Sequence, residues 1–171
     1  SINDPENKEA RESMMLAASA AGVGFGNAGV HLPHGMSYAV SGNVKEFTPE
    51  GYPQGKPIVP HGLSVILNAP AVFRFTSSSN PKKHLKAASL LGVDTSNINE
   101  ENAGNAIADK LIEPLRELNM PNGLSGLGYT ERDVQTLVEG TLPQHRVTKL
   151  SPIPVERKDF EMLFSESLNL W

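Results

Sequence analysis

A chain of this sequence is expected to fold as an all-α, multi-helix bundle. Two observations lead there. Apolar residues recur at spacings of three and four, and no stretch alternates apolar with polar residues as a half-buried strand does. Prolines and glycines, 13 and 15 among 171 residues, punctuate these periods at intervals that fit roughly six to eight helices. No internal repeat is present, and the length suits one domain of roughly 150 residues.

The first helix is expected from Pro5 to Ala21. Asp4 is placed to cap it, Pro5 suits the first helical position, and Glu6 and Glu9 lie near the positive end of its dipole. Its later residues, Ala17-Ala18-Ser19-Ala20-Ala21, are small, so its C-terminal half reads as buried. Gly24, Gly26 and Gly29 then spell G-x-G-x-x-G. A dinucleotide loop needs a strand before it; a helical pattern precedes this one, so tight helix packing is the better reading. A second helix spans Ala28 to Ser41, bent or restarted at Pro33 and closed by Gly42. Residues 42–60 form a long loop. A third helical run starts at His61 and continues through Phe75, with a kink at Pro70. Asn80-Pro81 restarts a helix that stops at Gly92. The strongest pattern covers residues 98–119, where Ala103, Ile107, Leu111, Leu115 and Leu118 form one stripe. After a glycine-rich turn at Gly123, Gly126 and Gly128, Thr130 and Asp133 resemble a capping box opening a short helix to Glu139, which Gly140 would stop. Three prolines break the next stretch. A last helix, about 155–168, presents Phe160, Leu163, Phe164 and Leu168 on one face.

Composition excludes several functions. There is no cysteine, hence no disulfide scaffold, zinc finger, iron–sulfur site or thiol nucleophile. A net charge of −4 argues against a nucleic-acid surface, which needs clustered positive charge. No apolar run approaches the roughly 20 residues that span a bilayer.

The chemistry sits in the histidines. His31, His34 and His61 fall close together in the chain beside glycines and prolines, and imidazole is a common ligand for zinc and iron. His31 and His34, three residues apart, can face one point; His61 opens another helix. Either the two helices share a metal site, or these are three unrelated histidines. His84, after two lysines, reads as an exposed helix residue. His145 reads as part of a surface turn, with a smaller chance of meeting a substrate anion together with Arg146 and Lys149. Trp171 reads as a terminal residue that packs or frays.

Two stretches carry a family resemblance. Phe25-Gly26-Asn27-Ala28-Gly29 with His31, His34 and Tyr38, and Val59-Pro60-His61-Gly62-Leu63-Ser64, resemble the C-terminal domain of iron-containing (group III) alcohol dehydrogenases, whose fold is a dehydroquinate synthase-like helical bundle. Glu9-Ala10-Arg11 and the small-residue helix after it match the same pattern. Within that family the chain is most similar to the mitochondrial branch that moves hydride between hydroxyacids and oxoacids. Pro70-Ala71-Val72-Phe73 and the segment from Gly140 through His145 to Leu150 add to that likeness.

The resemblance implies a function and a site. Keeping the distance from Asn27 puts one metal ligand at His34, and the P-H-G element puts a second at His61. The metal is divalent, iron or zinc. Many members carry a histidine four residues after the first ligand; here that position is Tyr38. A tyrosine donates a hydrogen bond, but its ordinary pKa near 10 makes it a poor base at neutral pH. Tyr38 and His31 are the expected catalytic residues lining the pocket. The implied reaction transfers hydride from a hydroxyacid such as 4-hydroxybutyrate to bound NAD, and from there to 2-oxoglutarate. The alternatives are an NAD-dependent alcohol dehydrogenase of the same family and a non-catalytic helical interaction domain. Family members also have an N-terminal dinucleotide-binding domain and an Asp–His pair that completes the metal site. The chain has neither, so it reads as a single helical metal-binding domain, the C-terminal part of a longer homo-oligomeric mitochondrial enzyme, and inactive alone.

Overall fold

The structure, a computed structural model, describes residues 1–171. It is entirely helical, with nine α-helices and four single turns of 3-10 helix. Nine exceeds the six to eight expected, because one run splits in two and a four-residue helix sits among the late prolines. The chain divides into two compact units, Ser1–Val30 and His31–Trp171.

The first unit is helix α1, Lys8–Ala28. Its cap is Asn7, whose side chain accepts from the Ala10 N–H; Asp4 accepts instead from Glu6 N–H, outside the helix. The helix continues past Ala21 through Gly22, Gly24 and Gly26. Sequence alone ends it too early, because each of these glycines costs only about 1 kcal/mol in a helix and stops nothing by itself. The expected burial is also corrected: α1 has no buried residue, and Cβ atoms at its three glycines would meet nothing. Gly29, with φ of 78°, ends it.

The second unit holds the core. Helix α2, Leu32–Gly42, starts with Pro33 in its first turn. Helices α3 (His61–Ile66) and α4 (Ala69–Thr76) replace the single kinked run. The break falls at Leu67–Asn68, and Pro70 starts α4 because the missing N–H is no loss there. Helix α5 is Pro81–Leu90, capped by Asn80, which accepts from Lys83 N–H. Helix α6, Ala103–Glu117, packs most extensively on α4 and α5. Its buried stripe is Ala103, Ile107, Ala108, Ile112 and Leu115, so Leu118 is exposed and Ile112 takes the place expected of Leu111. Helix α7, Val134–Thr141, follows a capping-box turn at Thr130–Asp133 and runs through Gly140. Gly140 is there for contact: a Cβ would lie 3.0 Å from Cβ of Ala39. Helix α8 is His145–Thr148, and α9, Arg157–Leu168, buries Phe160, Leu163, Phe164 and Leu168 as expected.

The core gathers α2, α3, α4, α7 and α9 around Leu32, Met36, Val40, Leu67, Val72, Leu137 and Phe164. The tail beyond α9 is pinned rather than frayed. Asn122 Oδ1 accepts from the N–H groups of Leu170 and Trp171, and its Nδ2 donates to the Trp171 carbonyl.

Candidate metal centre

The first turns of α2 and α3 place two histidines side by side. His34 lies in the first turn of α2, after Pro33 has fixed the entry of the helix. His61 is the first residue of α3, after Pro60 in extended conformation. The two helices pack together. Ser41 Oγ donates to Ser64 Oγ across them at 3.1 Å, and Ser64 Oγ donates to the His61 carbonyl, tying that turn down. The rings of His34 and His61 then stand 5.3 Å apart, tilted by 57°. Neither ring is engaged by the stable hydrogen bonds that hold the other polar groups of these turns. Burial, and then the charge of His61, push the His34 pKa below its ordinary value, so its imidazole is held in the neutral form that binds metals.

His31 precedes α2 and occupies its cap position without capping it; the α2 amides of His34 and Gly35 bond to its carbonyl instead. Its Nδ1 is buried and has no hydrogen-bond partner. Burial lowers its pKa most, followed by the charges of His34 and His84. Tyr38 lies one turn after His34 on α2, and is 39% exposed. His34 and Tyr38, four residues apart on α2, thus share a face, with His31 just ahead of the helix.

The role of His84 was not legible in the sequence, where two flanking lysines make it read as exposed. It is half-buried. Its Nδ1 donates to the Asn80 carbonyl, Nε2 lies 3.3 Å from Thr76 Oγ1, and its ring meets the edge of Phe73. The signal available was the Asn80-Pro81 helix start, which puts Asn80 and His84 one turn apart.

The donor set decides what the site can hold. Two convergent imidazoles suit iron(II) or zinc. No third His, Cys, Asp or Glu gathers with them. His34 and His61 therefore fit a divalent metal as part of a ligand set. A dinucleotide is a different matter. The G-x-G-x-x-G residues lie in and just after α1, no strand precedes them, and the chain offers no βαβ unit to hold one.

The chain matches the model of the "Fe-containing alcohol dehydrogenase family, C-terminal" over residues 1–168. It is 52% identical over 171 residues to a probable hydroxyacid-oxoacid transhydrogenase, mitochondrial, of Dictyostelium discoideum, covering 99% of this chain and 31% of that protein. It is 48% identical over 170 residues to the hydroxyacid-oxoacid transhydrogenase, mitochondrial, of Homo sapiens, covering 99% of this chain and 36% of that one. The chain thus spans about a third of the length of these curated relatives. Among solved structures, a 1,3-propanediol oxidoreductase superposes with a TM-score of 0.80 at 23% identity, over 95% of this chain and 39% of that one. An archaeal halo-thermophilic alcohol dehydrogenase from a Red Sea brine pool superposes with a TM-score of 0.80 at 24% identity, over 98% and 40%. Both show the same helical fold.

Proposed function

The chain belongs to the Fe-containing alcohol dehydrogenase family, and we propose that it carries part of the metal site of an enzyme that passes hydride from a hydroxyacid, such as 4-hydroxybutyrate, to 2-oxoglutarate through bound NAD. The observation that carries this reading is the convergence of His34 and His61 at 5.3 Å from two separate helices. The relatives' names favour the transhydrogenase over a simple alcohol dehydrogenase, and favour a mitochondrial location. In this reading the chain is the C-terminal domain of a longer polypeptide, which supplies the dinucleotide-binding fold and the remaining metal ligands.

A divalent metal, iron or zinc, would supply Lewis-acid polarisation of the substrate oxygen. His34 and His61 would hold it, the first as an imidazole that burial keeps neutral. Tyr38, one turn further along α2 and partly open to solvent, would donate a hydrogen bond to the substrate. His31, with its buried and unpartnered Nδ1, would take up or give back a proton.

The test is metal content. Iron or zinc bound by the full-length enzyme should fall about tenfold or more in His34→Ala and in His61→Ala, with the helical circular dichroism unchanged. Full metal content and activity in both variants would refute the assignment.

A further inference from the structure

We propose that His145, at the start of α8, and Lys149, the residue that follows the helix, form the subsite that recognises the carboxylate of the acid substrates, with Arg146 adding to its positive field. This rests on the function proposed above.

Helix α8 is anchored beside the metal-holding turn of α2. Gly35, the residue after His34, is buried against it: a Cβ there would fall 2.5 Å from Thr148 Cγ2 and 3.5 Å from Val147 Cγ2. The orientation of Thr148 is set by its own hydrogen bond, Oγ1 donating to the Gln144 carbonyl at 3.2 Å, which turns its methyl towards Gly35. A Cβ at this position would force the Thr148 side chain to move, so α8 packs directly on the turn of α2 that carries His34.

Thr148 also lines a cleft of about 320 Å³ together with His145, Lys149 and Ser151, a volume in the range of small-molecule sites. Lys149 is the charged side chain that lines it, beside the imidazole of His145, and Arg146 lies next to them in the chain. His145, Arg146 and Lys149 are exposed, and none of them takes part in the six ion pairs of the chain. Two unpaired cations, Arg146 and Lys149, together with the imidazole of His145, in a protein of net charge −4, attract an anion.

The substrates share the feature such a subsite would read. In 4-hydroxybutyrate the reacting carbon is separated from the carboxylate by two methylene groups. In 2-oxoglutarate the keto carbon is separated from the distal carboxylate by the same two. One cationic subsite beside the turn that carries His34 would therefore suit donor and acceptor alike, and select against uncharged alcohols.

The experiment compares wild type with Lys149→Ala and His145→Ala in the full-length enzyme. The ratio of kcat/KM for 4-hydroxybutyrate to that for 1-butanol should fall about tenfold or more in Lys149→Ala, as expected for the loss of a charge-assisted hydrogen bond. KM for 2-oxoglutarate should rise by a similar factor, and Lys149→Arg should retain most of both. An unchanged ratio, or an effect on one acid and not on the other, would overturn the shared subsite. A wild type that exchanges no hydride between the two acids would sink the proposed function instead. Calorimetric titration with 2-oxoglutarate then decides the subsite by itself. Weaker binding by Lys149→Ala supports it; equal binding by both proteins, or none by wild type, overturns it.

Discussion

His31, just ahead of α2, holds a buried ring nitrogen without a partner, and this makes the start of the helix sensitive to pH. Burial, His34 and His84 lower its pKa in the folded protein, whereas the unfolded chain titrates near the ordinary histidine value of about 6.5. Above that value both states are neutral and the native state loses nothing. As pH falls below it, the unfolded chain takes up the proton first, so stability declines until the lower folded pKa is passed. Metal-free protein should therefore lose Tm as pH falls below about 6.5, and His31→Gln should flatten that decline. Parallel profiles for wild type and variant would refute the role. Gly104 gives a sharper steric test. A Cβ there would sit 2.8 Å from Cα of Arg74 and 3.0 Å from the Phe73 carbonyl. These are backbone atoms of α4, which cannot swing aside as a side chain does. Gly104→Ala should cost about 1–3 kcal/mol in urea denaturation through overpacking at the α4–α6 contact, and a neutral result would mean the helices separate freely.

Between elements, Tyr129 makes the most informative link. It lies in the turn before α7, and its buried hydroxyl donates to the Val40 carbonyl at the end of α2, at 2.6 Å. Tyr129→Phe leaves that carbonyl without this partner and should lower stability by about 1–2 kcal/mol, read from the urea midpoint. Such a link spans 89 residues and has no periodic signature, so sequence reading did not reach it. The elements it did reach are those whose signals are local. The apolar face of α9, the cap of Asn80-Pro81 and the Thr130–Asp133 box depend only on residues a turn apart. What failed depended on what lies opposite. Gly140 reads as a stop but is a contact with Ala39, and the stripe of α6 shifts to Ile112 because α4 and α5 cover it from another side. The same division holds at the site. His34 and His61 are legible because each sits in its own short motif with proline and glycine. The environment of His84 is not, because Phe73 and Thr76 at the end of α4 make it.

The two units of the chain differ in how they meet the requirement to bury apolar surface. Every member of the main core lies between Leu32 and Leu168, so residues 31–171 carry their own driving force for folding. Residues 31–171 alone should accordingly melt as cooperatively as the 171-residue chain and within a few degrees of it; a collapse of the transition on removing residues 1–30 would refute this. Helix α1 is the opposite case. Met15 and Leu16 are each 72% exposed, and Met14, Val23 and Phe25 are exposed as well. Helices with apolar residues on every side are normally buried, and a patch of this kind marks an interaction surface or an aggregation liability. The isolated 171-residue chain should therefore bind a hydrophobic dye and self-associate with rising concentration. Met15→Glu combined with Leu16→Glu should suppress both while leaving the melting of the His31–Trp171 unit in place, because neither residue belongs to its core. Light scattering and dye fluorescence on the two proteins check this, and equal association by both would show that the sticky surface lies elsewhere than α1.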